Sequence, residues 1–246
     1  MTEIIFEHPL TEKMRTWLRL EYLFKSINCS KEIDSESMAI NHLRSLIEIS
    51  EVLERGDIKV DLYKDLDRFQ AKFSFWSQAA DVDQNVISNW QNKLKSLSEG
   101  IKQAGRFNTH LQNDKLLNVV RQRIAIPGGC CNFDLPTFHV WLHLPKYRQQ
   151  EIINDWFRPL EILYEVIATI NDLTRNMGQL KQVVAKKGFF QDVAEDKELL
   201  RLHLSTQDLI YPQVSGVKNR FMIRFLPYDA EAGFVPEQLS FTLATC

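Results

Sequence analysis

The sequence predicts an α+β protein, a large antiparallel helical bundle followed by an antiparallel β-sheet domain. Over roughly the first two thirds of the chain, apolar residues recur every three or four positions, which is the helical period. From Gly188 onward they recur every second position, the mark of strands with one wet face. The 246 residues, with 44% apolar and 25% charged side chains, suffice for one large or two modest domains and argue against long disorder. The expected organisation is a mainly helical domain over 9–177, containing a short strand and turn near 121–135. A β domain over 178–246 follows, joined by an N-terminal strand over 3–7.

Glu3-Ile4-Ile5-Phe6 is strand-like and stops at Glu7-His8-Pro9. Leu10, Met14, Trp17, Leu20, Phe24 and Ile27 then form a helical stripe, with Arg15 and Arg19 on the side away from it. A second helix starts near Asp34-Ser35 and stops at Arg55-Gly56, a basic last turn followed by glycine. Leu62, Leu66, Phe69, Phe73 and Trp76 define a third; Ile87, Trp90, Leu94, Leu97 and Ile101 define a fourth. A short polar connection around Asp81 to Asp83 makes these two an antiparallel pair, their aromatics read as core.

Thr109 to Val120 reads as helical, and Arg121 to Ile126 as a short strand entering the turn Pro127-Gly128-Gly129. Pro136 opens a helix closed by Pro145, and a long helical region from Lys146 to Met177 is divided or kinked by Pro159. Leu200/Leu202/Leu204, Phe221/Ile223/Phe225 and Leu239/Phe241/Leu243 are three alternating runs. Pro212 and Gly216, then Pro227, Asp229, Gly233 and Pro236, read as the turns between them.

The 30 basic and 32 acidic residues leave a net charge of -2, so bulk charge does not recruit the chain to nucleic acid and any basic patch is local. The opening Met1-Thr2-Glu3 does not resemble a signal peptide. No apolar run approaches the roughly 20 residues of a membrane span. The four cysteines, Cys29, Cys130, Cys131 and Cys246, fit a reducing cytoplasm.

Pro127 to Pro136, followed by His139 and His143, is the segment richest in chemistry. The two histidines share a helix face and with Cys131 form a weak zinc pattern, lacking the separated cysteines of standard sites. Cys130 or Cys131 as nucleophile, with His139 as base and Asp134 orienting it, is the enzymatic alternative. The plain alternative is a turn whose glycines permit close backbone approach and whose cysteines pack as small apolar groups. Phosphate-binding, dinucleotide-binding and nucleophile-elbow motifs are missing from the sequence.

Arg220, Met222 and Arg224 point to one side of a strand, joined by Lys218 if the strand begins early. Arg106, Lys115, Arg121 and Arg123 form a second basic group, offset by Asp114. Each is either a solvated face or a binding surface, for a peptide in the first case and for nucleic acid as an alternative in the second.

Several strings carry a family resemblance. They are Phe6 to Arg19, Val120 to Arg123, Ile126 to Pro136, His139 to Pro145, Tyr211-Pro212-Gln213, Ser215-Gly216 and Arg220 to Pro227. Together they resemble the ZapD family of cell-division proteins over essentially the whole chain, the middle helices matching mainly in pattern. The resemblance implies a cytoplasmic homodimer at the midcell division ring, with no catalysis, cofactor or metal. It implies binding to the C-terminal tail of FtsZ, the tubulin-like division GTPase, and cross-linking of its filaments, without nucleic acid or membrane insertion. It also implies a basic pocket between the helical and β parts, carried over to Arg19, Lys115, His139, Arg220 and Arg224. Where the family pattern has arginine at the position of Lys115, lysine keeps the charge and loses the bidentate grip.

Overall fold

The computed structural model describes residues 3–29, 33–56, 58–79, 82–217 and 219–246. The chain begins with strand β1 (Glu3–Pro9) and continues through helices α1 (Glu12–Cys29), α2 (Glu36–Glu54), α3 (Ile58–Trp76) and α4 (Gln84–Gln103). Two short helices, α5 (Thr109–Asn113) and α6 (Lys115–Arg123), precede α7 (Pro136–Leu142), α8 (Lys146–Phe157) and α9 (Glu161–Asn176). Strands β2 (Gln179–Lys186), β3 (Phe189–Val193), β4 (Leu199–Ser205), β5 (Ile210–Val217), β6 (Arg220–Pro227) and β7 (Gln238–Thr245) complete it. The α+β class is the one predicted. The chain forms two compact units, Arg19–Ile170 and Met1–Leu18 with Asn171–Cys246, and passes from one to the other within α1 and within α9.

In the helical unit the start signal of α2 acts as expected. Ser35 accepts a hydrogen bond from the Met38 amide at 3.2 Å and caps α2, which ends at Glu54 with Arg55 as its C-cap and no basic residue in its last turn. Asp83 caps α4 through the amides of Asn85 and Val86; Asp81 lies outside the described residues. The α3 stripe Leu62, Leu66, Phe69 and Phe73 is buried, as are Ile87, Leu94, Leu97 and Ile101 of α4, and the two helices pack together. At the ends of these helices Phe73 stacks on Trp90 with ring centroids 5.8 Å apart, while Trp76 is 36% exposed. Pro159 divides the long helical region: α8 stops at Phe157, a 3-10 turn covers Arg158–Leu160, and α9 begins at Glu161.

The expected strand over Arg121–Ile126 is not formed. Asp114 caps α6, burial of Leu117 and Val120 commits that helix, and the Ile124 amide still bonds to Val120 at 2.8 Å. Successive turns follow, Ile126 to Arg123, Gly129 to Ile126 and Cys131 to Gly128. A Cβ on Gly129 would stand 2.4 Å from the Arg123 carbonyl, so this turn tolerates only glycine.

The sheet unit holds one seven-stranded antiparallel sheet in the order β1-β4-β7-β2-β3-β6-β5. The three alternating runs bury the predicted residues, and Phe225 and Phe190 meet Phe241 at 4.8 and 5.4 Å between centroids. Strands β2 and β5, besides the short β3, depart from the sequence reading. Strand β2 precedes Gly188 and carries no clean alternation, because Ala185 is its single fully buried residue. Strand β5 runs through Pro212 and Gly216, which read as turn residues. It lies at the sheet edge and pairs with β6 alone, where a missing N–H removes no ladder bond on the outer side.

Candidate functional site

Strand β6 alternates as its sequence dictates, with Phe221, Ile223 and Phe225 at most 2% exposed and Arg220, Met222 and Arg224 on the open face. At the usual rise of about 3.3 Å per residue the two arginines stand about 13 Å apart. Neither guanidinium has a carboxylate partner among the described residues. Lys218 lies outside the described residues.

The neighbouring strands extend this face. Register pairs Phe189 with Arg224, Gln191 with Met222 and Val193 with Arg220 on one side, and Gln213 with Arg224 and Ser215 with Met222 on the other. Phe189, Val193 and Met222 are 44%, 50% and 44% exposed. A groove of about 610 Å³ opens here, lined by Arg220, Met222, Gln191, Val193, Ser215 and neighbours; Arg224 sits on the same face outside it. The β3 residues went unrecognised at the sequence level because that strand has five residues and a weak apolar alternation.

Of the other three candidates, all in the helical unit, Arg19 is exposed on α1 and His139 is exposed on α7. Lys115 is exposed at the start of α6 and lines a second groove, of about 920 Å³, with Leu116, Val119, Trp141, Ile152 and Trp156. The basic group read around Lys115 is not one patch. Arg121 pairs with Glu54 at 3.8 Å, and Arg106 and Glu54 line a separate groove. Asp114 does not neutralise Lys115 by pairing with it. Its carboxylate accepts the Leu117 amide at 2.8 Å and the Trp156 indole at 2.9 Å.

The cysteine–histidine segment is open to solvent. Cys130 and Cys131 are free thiols and half-buried, and His139 and His143 are exposed with ring centroids 4.4 Å apart. His143 Nδ1 engages the His139 carbonyl at 2.8 Å, and Cys131 Sγ donates to Asp134 at 3.6 Å, which differs from the expected pairing of Asp134 with His139. Burial pushes the Cys130 thiol up from its ordinary value despite the opposing influence of Arg44, the reverse of what a nucleophile needs. Among the described residues no three His, Cys, Asp or Glu side chains cluster as metal ligands. No helix among them is long and apolar enough to cross a membrane.

Comparison with known proteins adds a family. The sequence pattern of the ZapD family, described as a cell division protein, matches residues 18–224. The chain is 42% identical over 243 residues to cell division protein ZapD of Serratia proteamaculans, covering 99% of this chain and 97% of that protein. It is 44% identical over 245 residues to the ZapD of Klebsiella pneumoniae, covering 100% and 99%. With that of an Enterobacter species the figure is 43% over 245 residues, with the same shares of the two chains.

Proposed function

The chain belongs to the ZapD family of cell division proteins, and on that premise we propose that it binds the C-terminal tail of FtsZ and cross-links FtsZ filaments. It would act as a cytoplasmic homodimer at the midcell division ring, by binding alone. The observation that carries this reading is the open arginine face of β6, whose two guanidiniums have no carboxylate partner among the described residues and flank an exposed methionine. Such a face suits a peptide carrying an acid and apolar anchors, since guanidinium donors match a carboxylate and the exposed thioether and rings receive apolar side chains. Arg19, Lys115 and His139 supply further exposed polar or cationic groups on the helical unit.

Cross-linking then follows from symmetry. A twofold dimer presents two equal sites. A filament carries many tails, so the second contact forms at high effective concentration although each is weak.

The test is the affinity of a fluorescent FtsZ tail peptide for wild type, Arg220→Glu and Arg224→Glu, with circular dichroism as folding control. Both arginines are exposed, so each reversal should leave stability within about 0.5 kcal/mol. Each should weaken binding by about fivefold or more, the loss of a surface attraction worth up to ~1 kcal/mol plus the new repulsion. Wild-type binding should also fall as salt rises. Sedimentation should give about twice the chain mass of 28.8 kDa, and filaments lacking the tail should not be bundled. Wild-type affinity in both reversals would remove the arginine face from the mechanism, and a bundling monomer would remove the symmetry argument.

A further inference from the structure

The far end of the β5–β6 pair carries a surface that the arginine face does not account for. Ile210 of β5 stands opposite Pro227 of β6, and just beyond them the Tyr228 amide donates to the Leu209 carbonyl at 2.7 Å. The chain then turns back on itself. The Gly233 amide donates to the Asp229 carbonyl at 3.0 Å, and a Cβ on Gly233 would stand 2.6 Å from Pro227 Cβ. Leu209, Tyr228 and Phe234 are thereby brought to one end of the sheet, where they are 65%, 80% and 78% exposed. Large apolar side chains presented together to solvent mark a contact surface.

Two further features show what it suits. First, the loop is set before any ligand arrives. Asp229 Oδ1 accepts from the amides of Glu231 and Ala232 at 2.9 and 3.1 Å, and the other limb is held by the Lys187 amide, which donates to the Glu237 carbonyl at 2.8 Å. The Ala232 and Glu231 amides also hold the Asp229 carboxyl below its usual range, so it carries its charge at neutral pH. Second, the charge is one-sided. Asp208 adjoins Leu209, and Asp229 and Glu231 lie between Tyr228 and Phe234. All three acids are exposed, and none has a lysine or arginine partner among the described residues. Neither Leu202 to Val217 nor Phe225 to Cys246 contains a lysine or an arginine. The bordering cations are Arg224, four residues before Tyr228, and Lys186 and Lys187, which meet the other limb at Gln238 and Glu237. The charged residues beside the three apolar side chains in the chain are thus all acidic.

We propose that this end of the sheet docks an arginine-bearing basic segment of another protein, a guanidinium stacking on Tyr228 or Phe234 while Asp208, Asp229 or Glu231 takes its donors. Charge complementarity selects this occupant. An acidic segment would be repelled by the three carboxylates, and an uncharged one would gain nothing from them. Arginine suits the combination of ring and carboxylate, because its planar cation stacks on an aromatic face and its fork matches a carboxylate. Asp229 keeps Oδ2 for such a donor, since both loop amides use Oδ1. This surface has the opposite charge to the arginine face, and the proposal stands whether or not β6 binds an acidic tail.

The probe is a labelled peptide, Arg-Ala-Arg-Leu-Arg, with counterparts carrying lysine or glutamine in place of every arginine; fluorescence anisotropy at low salt reads the affinity. The proteins are wild type, Tyr228→Ala, Phe234→Ala, Glu231→Lys and Glu99→Lys. Glu99 is an exposed acid of α4, so its reversal changes the net charge equally at a distant place in the chain. All four residues are exposed, so the variants should fold, with circular dichroism as control. Wild type should bind the arginine peptide about threefold more tightly than the lysine peptide, and should not bind the glutamine peptide. Each alanine variant should bind the arginine peptide about threefold more weakly and Glu231→Lys about fivefold, whereas Glu99→Lys should match wild type. Affinity for the FtsZ tail peptide should be the same in wild type and Phe234→Ala. Equal weakening by Glu231→Lys and Glu99→Lys would reduce the binding to net charge and overturn the surface, as would wild-type affinity in both alanine variants. Loss of tail-peptide binding in Phe234→Ala would merge this surface with the arginine face and overturn it as a separate site.

Discussion

Glu7 answers two arginines in the sheet unit. Its carboxylate accepts from Arg175 Nε and Nη2, both at 2.8 Å, and from Arg201 Nε at 3.1 Å. One anion thus answers two guanidiniums and ties β1 to α9 and to β4. The side chains of Arg175, Glu7 and Arg201 are 15%, 22% and 22% exposed. Glu7→Gln keeps the shape, removes the charge and turns an amide donor toward guanidinium donors. Breaking a fully buried pair from one side costs ~3–5 kcal/mol. Exposure of about a fifth, with Asp172 3.9 Å from Arg175 Nη1, offsets part of this. The expected loss is ~2–4 kcal/mol, which at about 2–4 °C per kcal/mol for a chain of this size lowers Tm by about 8 °C. Urea and thermal melts followed by circular dichroism measure it. Glu12→Gln is the control, because Glu12 pairs with Arg15 at 3.3 Å while 88% exposed and should change stability by less than about 0.5 kcal/mol. If Glu7→Gln melts with Glu12→Gln, the guanidiniums are solvated without their anion and the reasoning fails.

Three further outcomes are expected. A Cβ on Gly178 would stand 2.4 Å from Cys246 Sγ, so Gly178→Ala should cost ~1–3 kcal/mol, and Cys246→Ala should restore much of it in the double variant; additive losses would refute the clash. Burial, then Arg15, holds His8 below its ordinary value of 6.5, so its contribution is complete above that pH and is lost as pH falls toward the folded value. His8→Gln should flatten the loss of stability below pH 6.5, and an unchanged acid slope would exclude His8 as its source. Cys130 and Cys131 should both count as thiols, Cys130 alkylating slowly at neutral pH, and the double serine variant should still bind the FtsZ tail peptide. A stoichiometric zinc ion, lost together with binding in that variant, would contradict this.

Much of the fold was legible because local period and burial agree. The stripes of α3 and α4, the Ser35 cap, the break at Pro159 and the alternation of β6 each follow from residues a few positions apart. Legibility failed where a neighbour distant in sequence decides the outcome. Pro212 and Gly216 resemble turn residues until β5 is placed at the sheet edge, and β2 has no alternation to read because it buries little besides Ala185. Arg121 to Ile126 looked strand-like because the cap and burial that extend α6 are set from Asp114 and from the packing of Leu117 and Val120.

The candidate surfaces divide in the same way. The sequence places Arg220 and Arg224 on one side of a strand, since the backbone pleat imposes a period of two whatever surrounds it. It also singled out Lys115, through the family pattern. The packing of separate elements puts Lys115 and Asp114 at one largely apolar groove, gives the Asp114 carboxylate a helix amide and an indole as donors, and pairs Arg121 with Glu54. The structure likewise joined Glu7 to arginines 168 and 194 positions away. Such pairings depend on where separate elements come to rest in space, and a linear pattern carries no term for that distance.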